Sequence, residues 1–188
     1  APNATMSAPH AANSDTMLEA QVAIDTDVEL VGKLGGQNAT ASYLTSLFAA
    51  ANVIYERDVK VHLKLNYLRL RTGSDPWTSA DTGTALDELQ SYWLTPGNGM
   101  PNSSNDVVHL VSAKGPSGGV AYIEAACNST YHFGVSQVNG AFNVSNPGGI
   151  WDVLVFTHEL GHNVGSEHTH CYNPPLDHCY NAEQGCYS

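Results

Sequence analysis

The stretch from His158 to His168 reads His-Glu-Leu-Gly-His-Asn-Val-Gly-Ser-Glu-His. On a helix, residues four apart project from one face, so the imidazoles of His158 and His162 can share a single cation. Gly165 can take the left-handed conformation that turns the chain, and that turn can bring His168 back as a third nitrogen ligand. Three neutral imidazoles with an open fourth position form the donor set of a catalytic Zn2+, whereas structural zinc usually takes four protein ligands. A water in the fourth position has its pKa lowered to about 7. Glu159, beside the first ligand, is placed to take its proton as it attacks a peptide carbonyl, and to pass that proton to the leaving amine. No zinc ligation requires Glu159, so its presence points to chemistry beyond metal binding. Five fixed residues in such a window arise by chance in about one chain of this size in ten thousand.

Other chemistries compete. Gly115-Pro116-Ser117-Gly118-Gly119 matches a nucleophile-elbow pattern, and Asp152 and His158 follow in the order a serine hydrolase using Ser117 requires. An elbow needs a strand, a sharp turn and a helix, however, and the segment after Ser117 is strand-like. Cys127 as a nucleophile is disfavoured in an exported chain, where thiols are oxidised. Cys171, Cys179 and Cys186 with His170 and His178 lack the paired CxxC spacing of a second zinc site, and disulfides are expected of them instead. The non-enzymatic alternative is a catalytically silent, secreted zinc-binding interaction module that uses the cleft without cleaving.

The elements that must position these groups are legible in the hydrophobic pattern. Ile150 to Val164 reads as a buried helix with Ser145, Asn146 and Pro147 before it and Gly165 after it. Val22 and Ile24 suit a first strand within Leu18 to Leu30, broken by Gly32, Gly35 and Gly36. Leu44, Leu47, Phe48, Ala51 and Ile54 follow one helical face, and Leu86, Leu89 and Trp93 another after Gly83. Val59, Val61, Leu63 and Leu65 alternate with polar residues, then the alternation slips at Tyr67 as a bulge makes it do. Five basic residues sit in or near this stretch (Arg57, Lys60, Lys64, Arg69, Arg71) and are expected on the solvated face of a half-buried strand. Asp106 to Ser112, Val120 to Ile123 and Phe133 to Val138 complete a β-α-β-α-β-β-β order, which predicts an α/β layer with a mixed sheet.

The chain has 188 residues with 18 Asp+Glu against 7 Lys+Arg, a formal net charge of −11 that excludes a generic nucleic-acid binder. At 42% hydrophobic it supports one sizeable core, and no apolar run is long enough for a membrane span. It opens at Ala1 with no signal-peptide core, which reads as a processed or trimmed end. Asn-x-Ser/Thr triplets begin at Asn3, Asn38, Asn102, Asn128 and Asn143; with four cysteines they fit a secreted, extracellular protein. The acidic excess leaves room for Ca2+, with no ligands assigned.

The segment His158 to His168 resembles the extended zinc signature of the metzincin metallopeptidases. Gly119-Val120-Ala121-Tyr122-Ile123, then Cys127, then Phe133-Gly134-Val135-Ser136-Gln137 resembles the edge strand, cysteine and following strand of the reprolysin (adamalysin-like) branch. Thr169 stands where members of that branch commonly carry Asp. The resemblance spans roughly residues 18 to 170. It implies a metzincin-like α/β catalytic domain: a twisted, mixed five-stranded sheet, backing helices and an active-site helix. It further implies a secreted endopeptidase binding its protein or peptide substrate as an extended strand along Gly119, Val120, Ala121 and Tyr122. On this reading residues 1–17 are a flexible N-terminal segment and 18–188 the catalytic domain, with the upper subdomain and zinc helix ending near 165 and the lower subdomain starting over 166–188. The family's methionine turn follows the third histidine, but Met6, Met17 and Met100 all precede His158. The lower subdomain is therefore expected to be incomplete here, its remainder being a second polypeptide after a nick, disordered, or never made. Cys127 matches a family cysteine whose partner lies in that remainder.

Overall fold

The structure is a computed structural model that describes residues 16–98, 104–115 and 118–177. Strand β1 (Leu18–Thr26) leads into a short helix α1 (Val28–Lys33) and a long helix α2 (Gln37–Asp58). Strand β2 (Val61–Arg69), helix α3 (Thr82–Leu94) and strand β3 (Val107–Ser112) come next. A three-residue strand β4 (Gly119–Ala121), strand β5 (Phe133–Gln137) and helix α4 (Trp151–Asn163) complete the elements that carry the site.

The five strands form one sheet in the order β2-β1-β3-β5-β4. All neighbours run parallel except β4, which pairs antiparallel with β5 and occupies an edge. The predicted mixed α/β sheet is therefore present, as is the bulge: Val22 pairs with Leu65 and Ala23 with Tyr67, so Asn66 is the extra residue. Residues of opposite strand parity feed two cores. Val22 and Ile24 pack with α2 and α4 on one face, while Ala23, Val108 and Leu110 pack with α3 on the other. Central parallel strands covered on both faces read as continuous apolar runs, as β3 does.

Three local readings need correction. Helix α1 was not evident from the pattern; Asp27 caps it, its Oδ1 accepting from the Leu30 amide at 2.7 Å. Val59 does not start β2; it caps the end of α2 and is 55% exposed. Of the basic residues, Arg57, Lys60 and Lys64 are solvated, but Arg69 and Arg71 are not. Both turn inward towards the fully buried Asp25, with Arg71 forming a two-point pair at 2.7 and 2.8 Å. Tyr92 and Trp77 stack against Arg71, whose guanidinium Asp25 holds firmly in the charged state despite burial.

Candidate metal centre

Helix α4 delivers the first two histidines, and its position is set by contacts distant in sequence. Asp152, fully buried in its first turn, accepts from the Tyr43 hydroxyl at 2.7 Å and from the amides of Asn139 and Ala141 at 2.7 and 3.0 Å. Tyr55 donates to the Thr157 carbonyl at 2.8 Å, a second tie from α2 to α4. Burial, with the Asp152 carboxylate in contact, pushes the Tyr43 hydroxyl far above its ordinary pKa, so it stays a donor. The Trp151 indole donates to the Gln137 carbonyl at 3.1 Å and pins the helix start to β5. Beneath the helix, Phe156 meets the His109 ring edge-on at 5.3 Å.

The helix ends as the glycine predicts. Gly165 has φ +100°, its amide bonds the His162 carbonyl, and the Ser166 amide bonds that of Gly161. This reversal returns His168 to the other two histidines. Their Nε2 atoms are 3.0 Å (His158–His162), 3.1 Å (His162–His168) and 3.2 Å (His158–His168) apart. Nitrogen ligands of a tetrahedral zinc, at about 2.0–2.1 Å from the ion, stand about 3.3 Å from one another, so the three donors fit that ion. The His162 Nδ1 lies 2.7 Å from the Ser166 carbonyl. A carbonyl only accepts, so Nδ1 carries the proton and Nε2 keeps its lone pair for a metal.

Among the described residues two groupings could hold a metal: His158, His162 and His168, and His168, His170 and Cys171. The second has no thiolate to offer, because Cys171 is disulfide-bonded. Cys127 is a free thiol, with Sγ 3.2 Å from Asp106 Oδ1. Neither grouping is the all-oxygen cage that Ca2+ needs, and a calcium site finds no support. Cys179, Cys186 and His178 lie outside the described residues, as do Asn3, Asn102 and the N-terminal segment up to Asp15.

The histidines open onto a cleft of about 750 Å³ between α4 and β4, lined also by Glu159, Trp151, Leu154 and Gly119 to Ile123. Glu159 is 4% exposed and stands beside Gly119. All the residues expected at the site are thus brought together. Strand β4 does not use its backbone uniformly, however. The Gln137 amide bonds Gly118 O at 2.8 Å and the Tyr122 amide bonds Phe133 O at 3.2 Å. Alternation along an antiparallel ladder then turns the polar groups of Val120 towards β5 and those of Gly119 and Ala121 away from it, into the cleft. The remaining Tyr122 group is taken by Asn163, whose Nδ2 donates to the Tyr122 and Phe133 carbonyls, each at 3.0 Å. The main chain of α4 grips the same segment: His162 O accepts from the Glu124 amide, and Asn163 O from Ala125 and Ala126. Asn163, Asp152 and Tyr43 are functional supports that sequence reasoning missed, since only the fold brings their partners near.

Ser117 lies outside the described residues. The element immediately downstream of it is β4, not the helix of a nucleophile elbow, and the Asp152 carboxylate is occupied by Tyr43, Asn139 and Ala141.

Residues 19–188 match the sequence model of metallopeptidase family M12, of reprolysin type. Two similar proteins are the zinc metalloproteinase-disintegrin-like brevilysins H2a and H2b of Gloydius brevicauda, each 26% identical over 158 residues. Each match covers 79% of this chain and 34% of the relative, so the chain spans about a third of the length of these relatives. Among solved structures, a chain of a chaperone-substrate complex superposes with a TM-score of 0.57 at 16% identity, over 79% of this chain and 24% of the other, which is a likeness of fold. The family match, with the histidine cluster and the mixed sheet beside it, shows that the chain belongs to metallopeptidase family M12.

Proposed function

We propose that the chain is a zinc-dependent endopeptidase that hydrolyses peptide bonds of extended protein substrates, with His158, His162 and His168 holding the metal and Glu159 as general base and acid. The observation that carries this reading is the convergence of three Nε2 atoms within 3.0–3.2 Å at one wall of a cleft that also holds Glu159. Zinc bound there supplies Lewis-acid polarisation of a carbonyl and acidifies water. His162 enters with its tautomer already fixed by the Ser166 carbonyl. The substrate lies along β4, its backbone meeting the outward groups of Gly119 and Ala121, while Val120 and Tyr122 hold the strand to the sheet. Glu159 takes a proton from the attacking water onto its carboxylate and delivers it to the amine nitrogen as the C–N bond breaks. Water thus supplies a hydroxyl to the acyl carbon and hydrogen to the amine. The burial of Glu159 keeps competing water from its carboxylate. A disulfide at Cys171 supports a secreted setting, where oxidising conditions preserve it.

The test is incubation of the zinc-loaded protein with a library of unstructured peptides, with products mapped by mass spectrometry. Internal cleavage that stops on chelation, and that Glu159→Gln lowers by about 10²–10⁴, supports the proposal. One bound zinc without cleavage of any peptide favours the silent interaction module instead.

A further inference from the structure

We propose that Gly119 is a positioning residue for Glu159: the edge strand and the carboxylate side chain share one volume, and only the missing side chain at 119 lets both stand where the reaction needs them. This rests on the reading of Glu159 as general base. A Cβ placed on Gly119 falls 2.3 Å from Glu159 Oε1, 2.5 Å from its Cγ and 2.6 Å from its Cδ. Non-bonded carbons rest at about 3.5–4.0 Å, so all three contacts are deep overlaps. They run from Cγ to the carboxylate, so turning the carboxylate about its last torsion does not clear them. Either the whole Glu159 side chain swings away or β4 moves off α4.

Backbone strain is not the reason for the glycine. Gly119 does not have a positive φ, so alanine can adopt its conformation and the cost is steric. The neighbouring position behaves differently: a Cβ on Gly118 meets Thr82 Cγ2 at 3.6 Å and Gln137 Oε1 at 3.8 Å, ordinary contacts. Movement of β4 is resisted by its pairing with β5 and by the Asn163 bond to Tyr122. Helix α4 is held by Asp152, Tyr43 and Tyr55. The element left to give is the Glu159 side chain. The glycine therefore sets the distance between the outward backbone of β4, which aligns the substrate, and the carboxylate that moves its proton.

Gly119→Ala, Glu159→Ala, the double variant and Gly118→Ala as control separate this from a general packing role. Peptide kcat and KM, zinc affinity by chelator competition and Tm are measured on each. The expected result for Gly119→Ala is a kcat loss of at least about tenfold, with KM and zinc affinity within about twofold. Any fall in Tm that Gly119→Ala causes disappears when Glu159 is already alanine, since the clash has been removed. Gly118→Ala matches wild type. An unchanged kcat, a rise in KM with kcat intact, or a Tm loss that persists beside Glu159→Ala overturns the proposal. If the wild-type protein cleaves nothing, the general-base reading fails by itself, and Tm alone decides the steric claim. A loss erased by Glu159→Ala then supports it, and no loss or a persistent one overturns it.

Discussion

Acidification should loosen the sheet beneath the metal helix through one side chain, His109. It is fully buried on β3, with Nε2 2.8 Å from Ser136 Oγ and its ring edge-on to Phe156 of α4. Burial pushes its imidazole from about 6.5 down to about 3, so the native protein holds it neutral. The unfolded chain binds a proton there below about pH 6.5, and the folded chain does not until about pH 3. Stability is thus fully present above pH 6.5 and drains away as the pH falls towards 3. Linkage over that gap amounts to roughly 3 kcal/mol at pH 4.5 and about 5 kcal/mol at its limit. The assay is urea unfolding of wild type and His109→Gln at intervals from about pH 7.5 to 4.5. His132, whose pKa burial also lowers, is present in both proteins, so the difference between the curves isolates His109. Wild type should lose about 3 kcal/mol more than the variant across the range. Parallel curves refute the reasoning and place the acid sensitivity elsewhere.

Three further substitutions probe the site and its supports. Glu159→Gln, equal in size, should keep zinc content and fold while lowering kcat by about 10²–10⁴, read by metal analysis and peptide turnover on the same sample. Asp152→Ala strands the Tyr43 hydroxyl and the amides of Asn139 and Ala141, and should cost about 3–5 kcal/mol in urea unfolding, against about 1 kcal/mol for Tyr43→Phe. Asn163→Leu removes both bonds from α4 to the Tyr122 and Phe133 carbonyls and should lower stability by about 2–4 kcal/mol. It should also raise the peptide KM more than it weakens zinc binding, since it frees β4 and leaves the histidines in place.

The parts of this account legible in the sequence are those encoded locally. The His158–His162 spacing, the Gly165 turn and the alternation of β2 with its slip near Tyr67 each depend on residues within a few positions of one another, and each is present. Pairings across the fold were not legible. Asp152 enters the sequence reading only as the acid of a serine-hydrolase order, and its bond from Tyr43, 109 residues earlier, exists only in the fold. Arg69 and Arg71 carry the same charge signal as Lys64, and only the placement of Asp25 at the end of the neighbouring strand draws them inward. Helix α1 was hidden because six residues are too short to show a period, its start being marked only by the Asp27 cap. Gly119 is expected on the edge strand as part of the substrate-binding backbone, but the need for glycine there appears only once Glu159 stands across from it.

The most direct test of the central claim is a zinc titration of metal-free protein, following peptide turnover and bound metal together. The account predicts that turnover rises linearly, reaches its plateau at one zinc per chain, and is lost in His162→Ala. Turnover in the absence of metal, or one tightly bound zinc with no turnover at any ratio, would contradict it.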